Sequence, residues 1–188
     1  KTYLAIAKDR NFLMPTLAVS AVFFFLFAYI GGATLVYQES YGLSTQQFGL
    51  LFGATGVTII FGAMVAGRMV SRLGLGKLSM LGVSCMAIGA TISLGAAASE
   101  VGLAGVVAGM AIALFGLGIA ESTLMSLVMS SQEKALGSTA ALLGAFQLSI
   151  SSTATPVAGL VLEYGPVAWV ALLAASAIVV CVLTKISV

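Results

Sequence analysis

The sequence predicts an all-α membrane protein of six transmembrane helices. This prediction rests on the composition, on the length of the apolar runs and on the placement of the charged residues. Hydrophobic residues make up 60% of the 188-residue chain, and charged residues only 7%. A soluble domain carries about 25% charged residues, because its surface must stay hydrated. A helix crosses a bilayer with about 20 apolar residues. We therefore expect about six crossings, short loops and a single bundle over residues 1–188.

Six apolar runs are long enough to span a bilayer, and short segments rich in turn residues separate them. They cover residues 12–36, 48–70, 78–98, 103–128, 140–162 and 167–183. Ser44 and Gln47 have the spacing of a capping box, which predicts that the second helix begins there. Pro156 lacks a backbone donor within the fifth run, which predicts a kink near Ser152.

All lysine and arginine residues fall on one side of a chain that crosses six times. They are Lys1, Lys8, Arg10, Arg68, Arg72, Lys77, Lys134 and Lys185. The opposite side carries Glu39, Glu100 and Glu163. By the positive-inside rule, we expect both termini in the cytoplasm. Aromatic residues that cluster at the outer boundary are expected to be anchors at the lipid headgroups. They are Tyr37, Tyr41, Tyr164 and Trp169.

Missing residue types exclude several classes of function. The chain has no histidine, the usual general base and the commonest metal ligand. We therefore expect no enzyme, no cofactor and no metal site. Cys85 and Cys181 lie alone in separate apolar runs, as small buried hydrophobic residues do. The cations form no basic stripe, so nucleic acid is not an expected partner.

Small residues recur at four-residue spacing within the predicted helices. Gly105 with Gly109, and Gly62 with Ala66, allow neighbouring backbones to approach closely in lipid. Most of these glycines are expected to serve packing, and the rest to be bending points.

Polar side chains mark the first, fourth and fifth runs. Gln147, Ser151 and Thr155 share one helix face because they lie four residues apart. Two interpretations stay open: the polar groups bond to backbone carbonyls or join helices, or they line a hydrated cavity. The candidate cavity residues are Tyr29, Ser122, Ser126, Gln147, Ser151 and Thr155.

Glu121 is the ionisable residue that lies well inside a predicted span, at a depth of roughly 13 Å from Ser130. A charge in hydrocarbon is unfavourable by several kcal/mol, so the group should face protein or water, be paired or hold its proton. In a functional role, a proton and a cationic substrate compete for it. In a structural role, it pairs with a cation on a partner helix or accepts hydrogen bonds from Ser122.

Residues 67–77, Gly-Arg-Met-Val-Ser-Arg-Leu-Gly-Leu-Gly-Lys, resemble the cytoplasmic loop signature of the major facilitator superfamily. Gly67, Arg72, Gly74 and Lys77 match it, whereas Ser71 stands where that family has an acidic residue. Tyr-Gly-Leu-Ser at 41–44, Gln-Phe-Gly at 47–49 and Gly-Ser-Thr-Ala-Ala-Leu-Leu-Gly at 137–144 add to the similarity, as does Gln147 with Pro156 and Gly159. Together these motifs look like the C-terminal half of bicyclomycin and chloramphenicol-type drug:proton antiporters. Glu-Ser-Thr at 121–123 departs from the Gly-Pro-Asn-like step of that group.

The resemblance implies helices seven to twelve of a twelve-helix transporter, in which two six-helix bundles rock about a central site. It implies a partner, which is either an N-terminal six-helix half or a second copy of this chain. It also implies that Gly67, Arg72, Gly74 and Lys77 belong to a cytoplasmic gating loop. Because the chain starts at Lys1 rather than Met, we expect a fragment or a processed chain.

We therefore predict a multi-pass protein of the bacterial inner membrane that forms half of a secondary transporter. It would export a small amphipathic molecule or drug in exchange for protons by alternating access, with Glu121 as the coupling site. The alternative is a non-transporting membrane scaffold or assembly subunit with the same fold. An intramembrane hydrolase without histidine would need a Ser/Lys pair, and no lysine lies at mid-depth.

Overall fold

The computed structural model describes residue 6 and residues 8–99, 102–131 and 136–188. Over these residues the chain forms seven α-helices and one π-helical turn. They are α1 (Arg10–Leu35) with the π-helical turn Val36–Ser40, α2 (Thr45–Leu73), α3 (Leu75–Ala98), α4 (Leu103–Ser130), α5 (Leu136–Ser151), α6 (Ala154–Leu162) and α7 (Pro166–Ser187). Helices α5 and α6 together form the fifth apolar segment, Leu136–Leu162.

Six helical segments of the described chain are long and apolar enough to cross a membrane. The predicted all-α fold with six spans is therefore confirmed. The cytoplasmic placement of both termini stays a prediction. Lys1, Lys134 and Glu100, on which that placement partly rests, lie outside the described residues.

Local signals in the sequence explain where α2 begins and ends. The Ser44 hydroxyl accepts from the backbone nitrogen of Gln47 at 3.3 Å, and Gln47 Oε1 accepts from the Ser44 nitrogen at 2.9 Å. This is the predicted capping box. At the other end, Gly74 alone separates α2 from α3, with φ of +75°. A glycine suits this turn because other residues rarely adopt positive φ.

The fifth span is bent, as Pro156 predicts. Helix α5 ends at Ser151 and α6 begins at Ala154, so the break falls at Ser152 and Thr153. Proline cannot donate to the carbonyl one turn earlier. The hydroxyls of Ser152 and Thr153 donate to the carbonyl oxygens of Ser149 and Ile150. The Ile150 carbonyl oxygen also accepts from the backbone nitrogen of Thr153, so the chain stays hydrogen-bonded through the break.

Glycines bring α4 into close contact with α2 and α3. A methyl group added at Gly116 would lie 2.5 Å from the carbonyl oxygen of Gly82 on α3. One added at Gly109 would lie 2.7 Å from the carbonyl oxygen of Gly89. Gly62 of α2 likewise meets the α4 backbone at Phe115. These contacts confirm a packing role for Gly62 and Gly109.

Helices α1 and α4 form the centre of the bundle. Helix α1 packs against α4, α5, α6 and α7, and α4 packs against α1, α2 and α3. Helix α2 and the fifth span are the least buried segments. The third and sixth spans bury more of their surface in this bundle than α2 and the fifth span do.

The expected role of the outer aromatic residues needs one correction. Tyr37 and Trp169 are fully buried between helices, so the prediction that they anchor the protein at the lipid headgroups is wrong. Both rings pack in the core, where they gain more contact than at a membrane boundary. Tyr164 is 84% exposed and Tyr41 is half-buried, which suits an anchor.

Candidate functional site

Glu121 is half-buried on α4 and has no partner in the part of the chain that the structure describes. No hydrogen bond or ion pair connects its carboxyl group to a described residue. Leu117 and Leu124, one turn before and after it, are completely buried. Side chains at this spacing lie on the same side of a helix. The carboxyl group therefore lies at the edge of the apolar core.

Ser122 and Ser126 lie on a different side of α4 from Glu121. Their hydroxyls donate to the carbonyl oxygens of Gly118 and Ser122, each at 2.8 Å. Bonding to the helix backbone is thus the interpretation that the structure supports for both donors. The expected hydrogen bond from Ser122 to Glu121 is absent among these contacts.

Ser122 and Ser126 also line a small cavity of about 120 Å³ between α2 and α4. Ala66 and Gly67 of α2 form the opposite wall. The structure therefore brings two predicted cavity residues next to Gly67, the first residue of the predicted gating loop. Glu121 is not among the residues that line this cavity.

Gln147 and Ser151 are buried on α5, with 7% and 2% of their surface exposed. The Ser151 hydroxyl donates to the carbonyl oxygen of Gln147 at 2.6 Å. The Gln147 side-chain nitrogen, Nε2, is buried and has no hydrogen-bond partner among the described residues. Buried donors are nearly always satisfied, so this amide calls for water, a ligand or another chain.

Thr155 does not continue the buried row of Gln147 and Ser151. It lies beyond the bend, on α6, and is exposed. A methyl group added at Gly31 of α1 would lie 3.0 Å from Thr155 Cγ2, so the two residues are neighbours. The four-residue spacing predicted one face, but the break at Ser152 interrupts it.

Tyr29 forms a contact that sequence reasoning missed. Its hydroxyl lies 3.1 Å from Thr55 Oγ1 of α2, and both residues are buried. Thr55 donates its own proton to the carbonyl oxygen of Phe52 at 2.9 Å. Tyr29 is therefore the donor to Thr55. The sequence offered one signal for this contact, namely that Thr55 stands in an otherwise apolar part of the second run.

Five rings form an aromatic cluster that joins α1, α2 and α7. The Tyr29 ring stacks on Phe52 and Trp169, with centroid distances of 5.9 and 6.1 Å. Tyr37 meets Trp169 edge-on at 6.3 Å, and its hydroxyl has no partner among the described residues. The cluster comprises Tyr29, Tyr37, Phe48, Phe52 and Trp169.

The predicted gating loop lies at the junction of α2 and α3. Gly67, Arg72, Gly74 and Lys77 are all exposed there. Neither Arg72 nor Lys77 forms an ion pair with a residue that the structure describes. Two cations are thus free to meet an external partner.

The sequence profile described as Major Facilitator Superfamily matches residues 1–156. The chain belongs to the major facilitator superfamily. The uncharacterised MFS-type transporter YdgK of Bacillus subtilis is 32% identical over 160 residues, which cover 85% of this chain and 40% of that protein. This superfamily consists of transporters rather than enzymes, which confirms the non-enzymatic prediction.

Two further relatives are each named multidrug transporter MdfA. The one from Escherichia coli O157:H7 is 28% identical over 156 residues, or 80% of this chain and 37% of that protein. The one from Edwardsiella ictaluri is 27% identical over 173 residues, or 90% and 40%. The chain therefore spans about two fifths of the length of these relatives.

Proposed function

We propose that this chain is one six-helix half of a secondary active transporter of the bacterial inner membrane. It would exchange protons for a small amphipathic molecule by alternating access, as the bicyclomycin and chloramphenicol-type antiporters do. Membership of the major facilitator superfamily and the names of the bacterial relatives support this proposal. The observation that carries it is the half-buried, unpaired carboxyl group of Glu121.

Glu121 has the setting that coupling requires. A carboxylate at the edge of an apolar core is unfavourable unless it binds a proton or a cation. A single group that binds either one, but not both together, links the movement of protons to the movement of a cationic substrate. No cation of the described chain occupies this position. We therefore assign proton and substrate competition to Glu121.

Gln147, Ser151 and Tyr29 are the residues that we assign to substrate contact. The unpaired Gln147 amide supplies a donor, and a buried donor contributes strongly when a ligand satisfies it. The Tyr29 ring is stacked on Phe52 and Trp169, so we assign it a contact that forms only when α2 moves away from α1. Thr155, Ser122 and Ser126 would make later contacts as the helices move. The exposure of Thr155 supports such a role.

The partner half would cover α2 and the fifth span, which are the least buried segments. Helix α2 exposes Leu50, Val57 and Phe61 at 58–71% of their surface. Large apolar side chains in one row favour a helical partner or lipid. The gating-loop residues Gly67, Arg72, Gly74 and Lys77 lie where α2 ends and α3 begins. They would act on an N-terminal half or on a second copy of this chain.

The test is transport by the complete protein reconstituted in vesicles, with a fluorescent amphipathic cation as the probe. Glu121→Gln keeps the size of the side chain but cannot release a proton. We expect it to abolish accumulation driven by a pH gradient. The matched control is Glu163→Gln, because Glu163 is exposed at the end of α6. Accumulation by Glu121→Gln at the level of the unmodified protein would reject the proposal.

A further inference from the structure

An apolar groove of about 480 Å³ runs along the outside of the bundle between α1, α5 and α7. Leu17, Ala21 and Phe24 of α1 form its floor, with Ile150 of α5 and Leu172 and Val179 of α7 at its sides. Helix α7 packs against α1, α3 and α6 but scarcely contacts α5. The bend at Ser152 and Thr153 thus separates α5 from α7, and this separation opens the groove.

The walls of the groove offer nothing to a polar ligand. Among the described residues, Ser176 is the only polar one that lines the groove, and its hydroxyl donates to the carbonyl oxygen of Leu173 at 2.8 Å. Along α7 the lining extends from Leu172 to Leu183, a length of about 16 Å at 1.5 Å per residue. One leaflet of a bilayer has a hydrocarbon depth of about 15 Å. The groove therefore matches an acyl chain of a single leaflet.

Arg10 lies on α1 about 10 Å before Leu17, beyond the end of this groove. It precedes Leu17 by seven residues, Ala21 by eleven and Phe24 by fourteen, which places all four on one face of α1. Arg10 is exposed and forms no ion pair with a described residue. A cation at the end of a membrane helix lies at the depth of the lipid headgroups. The positive charge of Arg10 thus complements the negative charge of a lipid phosphate.

We propose that the groove binds an anionic phospholipid, with one acyl chain against α1 and its phosphate on Arg10. Basic residues beside clefts between membrane helices bind anionic headgroups in this way. A transported molecule with polar groups fits less well, because the Ser176 hydroxyl in the wall of the groove is already bonded to the helix backbone. The inference is independent of the transport role of Glu121, so each can fail without the other.

The test measures retention of phosphatidylglycerol and phosphatidylcholine by the intact protein, after delipidation and controlled addition of each lipid in detergent. We expect preferential binding of phosphatidylglycerol. Arg10→Gln should weaken that binding about fivefold, which corresponds to about 1 kcal/mol. Arg10→Lys should retain most of it. Ala175→Phe should displace both lipids, because Ala175 lines the groove and is exposed.

Lys185→Gln is the matched control. Lys185 is an exposed cation near the end of α7, two residues after Leu183 and therefore on the side of α7 away from the groove. We expect it to bind phosphatidylglycerol normally. Equal affinity of the unmodified protein and Arg10→Gln for this lipid would overturn the proposal. Displacement of phosphatidylglycerol by inorganic phosphate alone would also overturn the proposal. So would crosslinking of the partner half to Ala175→Cys, because the groove would then hold protein.

Discussion

The indole nitrogen of Trp169 donates a hydrogen bond to the carbonyl oxygen of Ala28, with an Nε1–O distance of 2.9 Å. This bond joins the last part of α1 to the beginning of α7. Gly32 follows Ala28 by one turn, and its missing side chain leaves space for the indole ring. Because Tyr29 stacks on the same ring, the bond also fixes the position of Tyr29.

We expect Gly32→Ala to destabilise the protein. The added methyl group would clash with the Trp169 ring, and such overpacking is unfavourable by about 1–3 kcal/mol. Thermal unfolding in detergent measures the effect. Gly49→Ala is the control, because a methyl group there meets nothing within 4 Å. Equal unfolding temperatures for the two variants would show that Trp169 has room to move.

The hydrogen bond between Tyr29 and Thr55 should couple α1 to α2. We expect a double-mutant cycle of Tyr29→Phe and Thr55→Val to give an interaction of about 1 kcal/mol in the free energy of unfolding. Tyr29→Phe retains the ring and therefore the stacking on Phe52 and Trp169. Additive effects of the two substitutions would mean that the 3.1 Å contact contributes nothing to stability.

Replacement of Gln147 should lower the affinity for substrate without lowering the stability of the protein. Gln147→Met removes a buried amide nitrogen that has no hydrogen-bond partner among the described residues, so we expect stability to be equal or higher. Substrate affinity should fall about tenfold, because the ligand loses a buried hydrogen bond. Gln46→Met is the control, since Gln46 is exposed at the beginning of α2. Unchanged affinity in Gln147→Met would remove this residue from the proposed contacts.

The predicted orientation can be measured with single cysteines in a background that lacks Cys85 and Cys181. Ser71→Cys at the α2–α3 junction should react with an impermeant maleimide only in inside-out vesicles. Tyr164→Cys should react in intact cells, because Tyr164 is 84% exposed at the opposite end. We expect Ser71 on the cytoplasmic side because cations are in excess near it. Reversed labelling would place both termini outside the cytoplasm.

Much of the helical framework follows from the sequence because its causes are local. The length of an apolar run decides whether a helix can cross a bilayer. Ser44 and Gln47 bond to free backbone groups at the start of their own helix. Pro156 has no backbone N–H to donate, whichever helices pack against it. These features need no knowledge of neighbouring helices, and the structure has each of them at the expected residue.

The six spans, the capping box and the bend can thus be read from the amino-acid sequence alone. Which polar and aromatic side chains are buried together depends instead on how the helices pack. Thr55 was missed because its partner, Tyr29, lies 26 residues away on another helix. Tyr37 and Trp169 were placed at the lipid headgroups, yet α1, α2 and α7 enclose them. The burial of a side chain depends on which face of its helix packs against other helices. In a chain as apolar as this one, the periodicity of polar and apolar residues that would reveal those faces is weak.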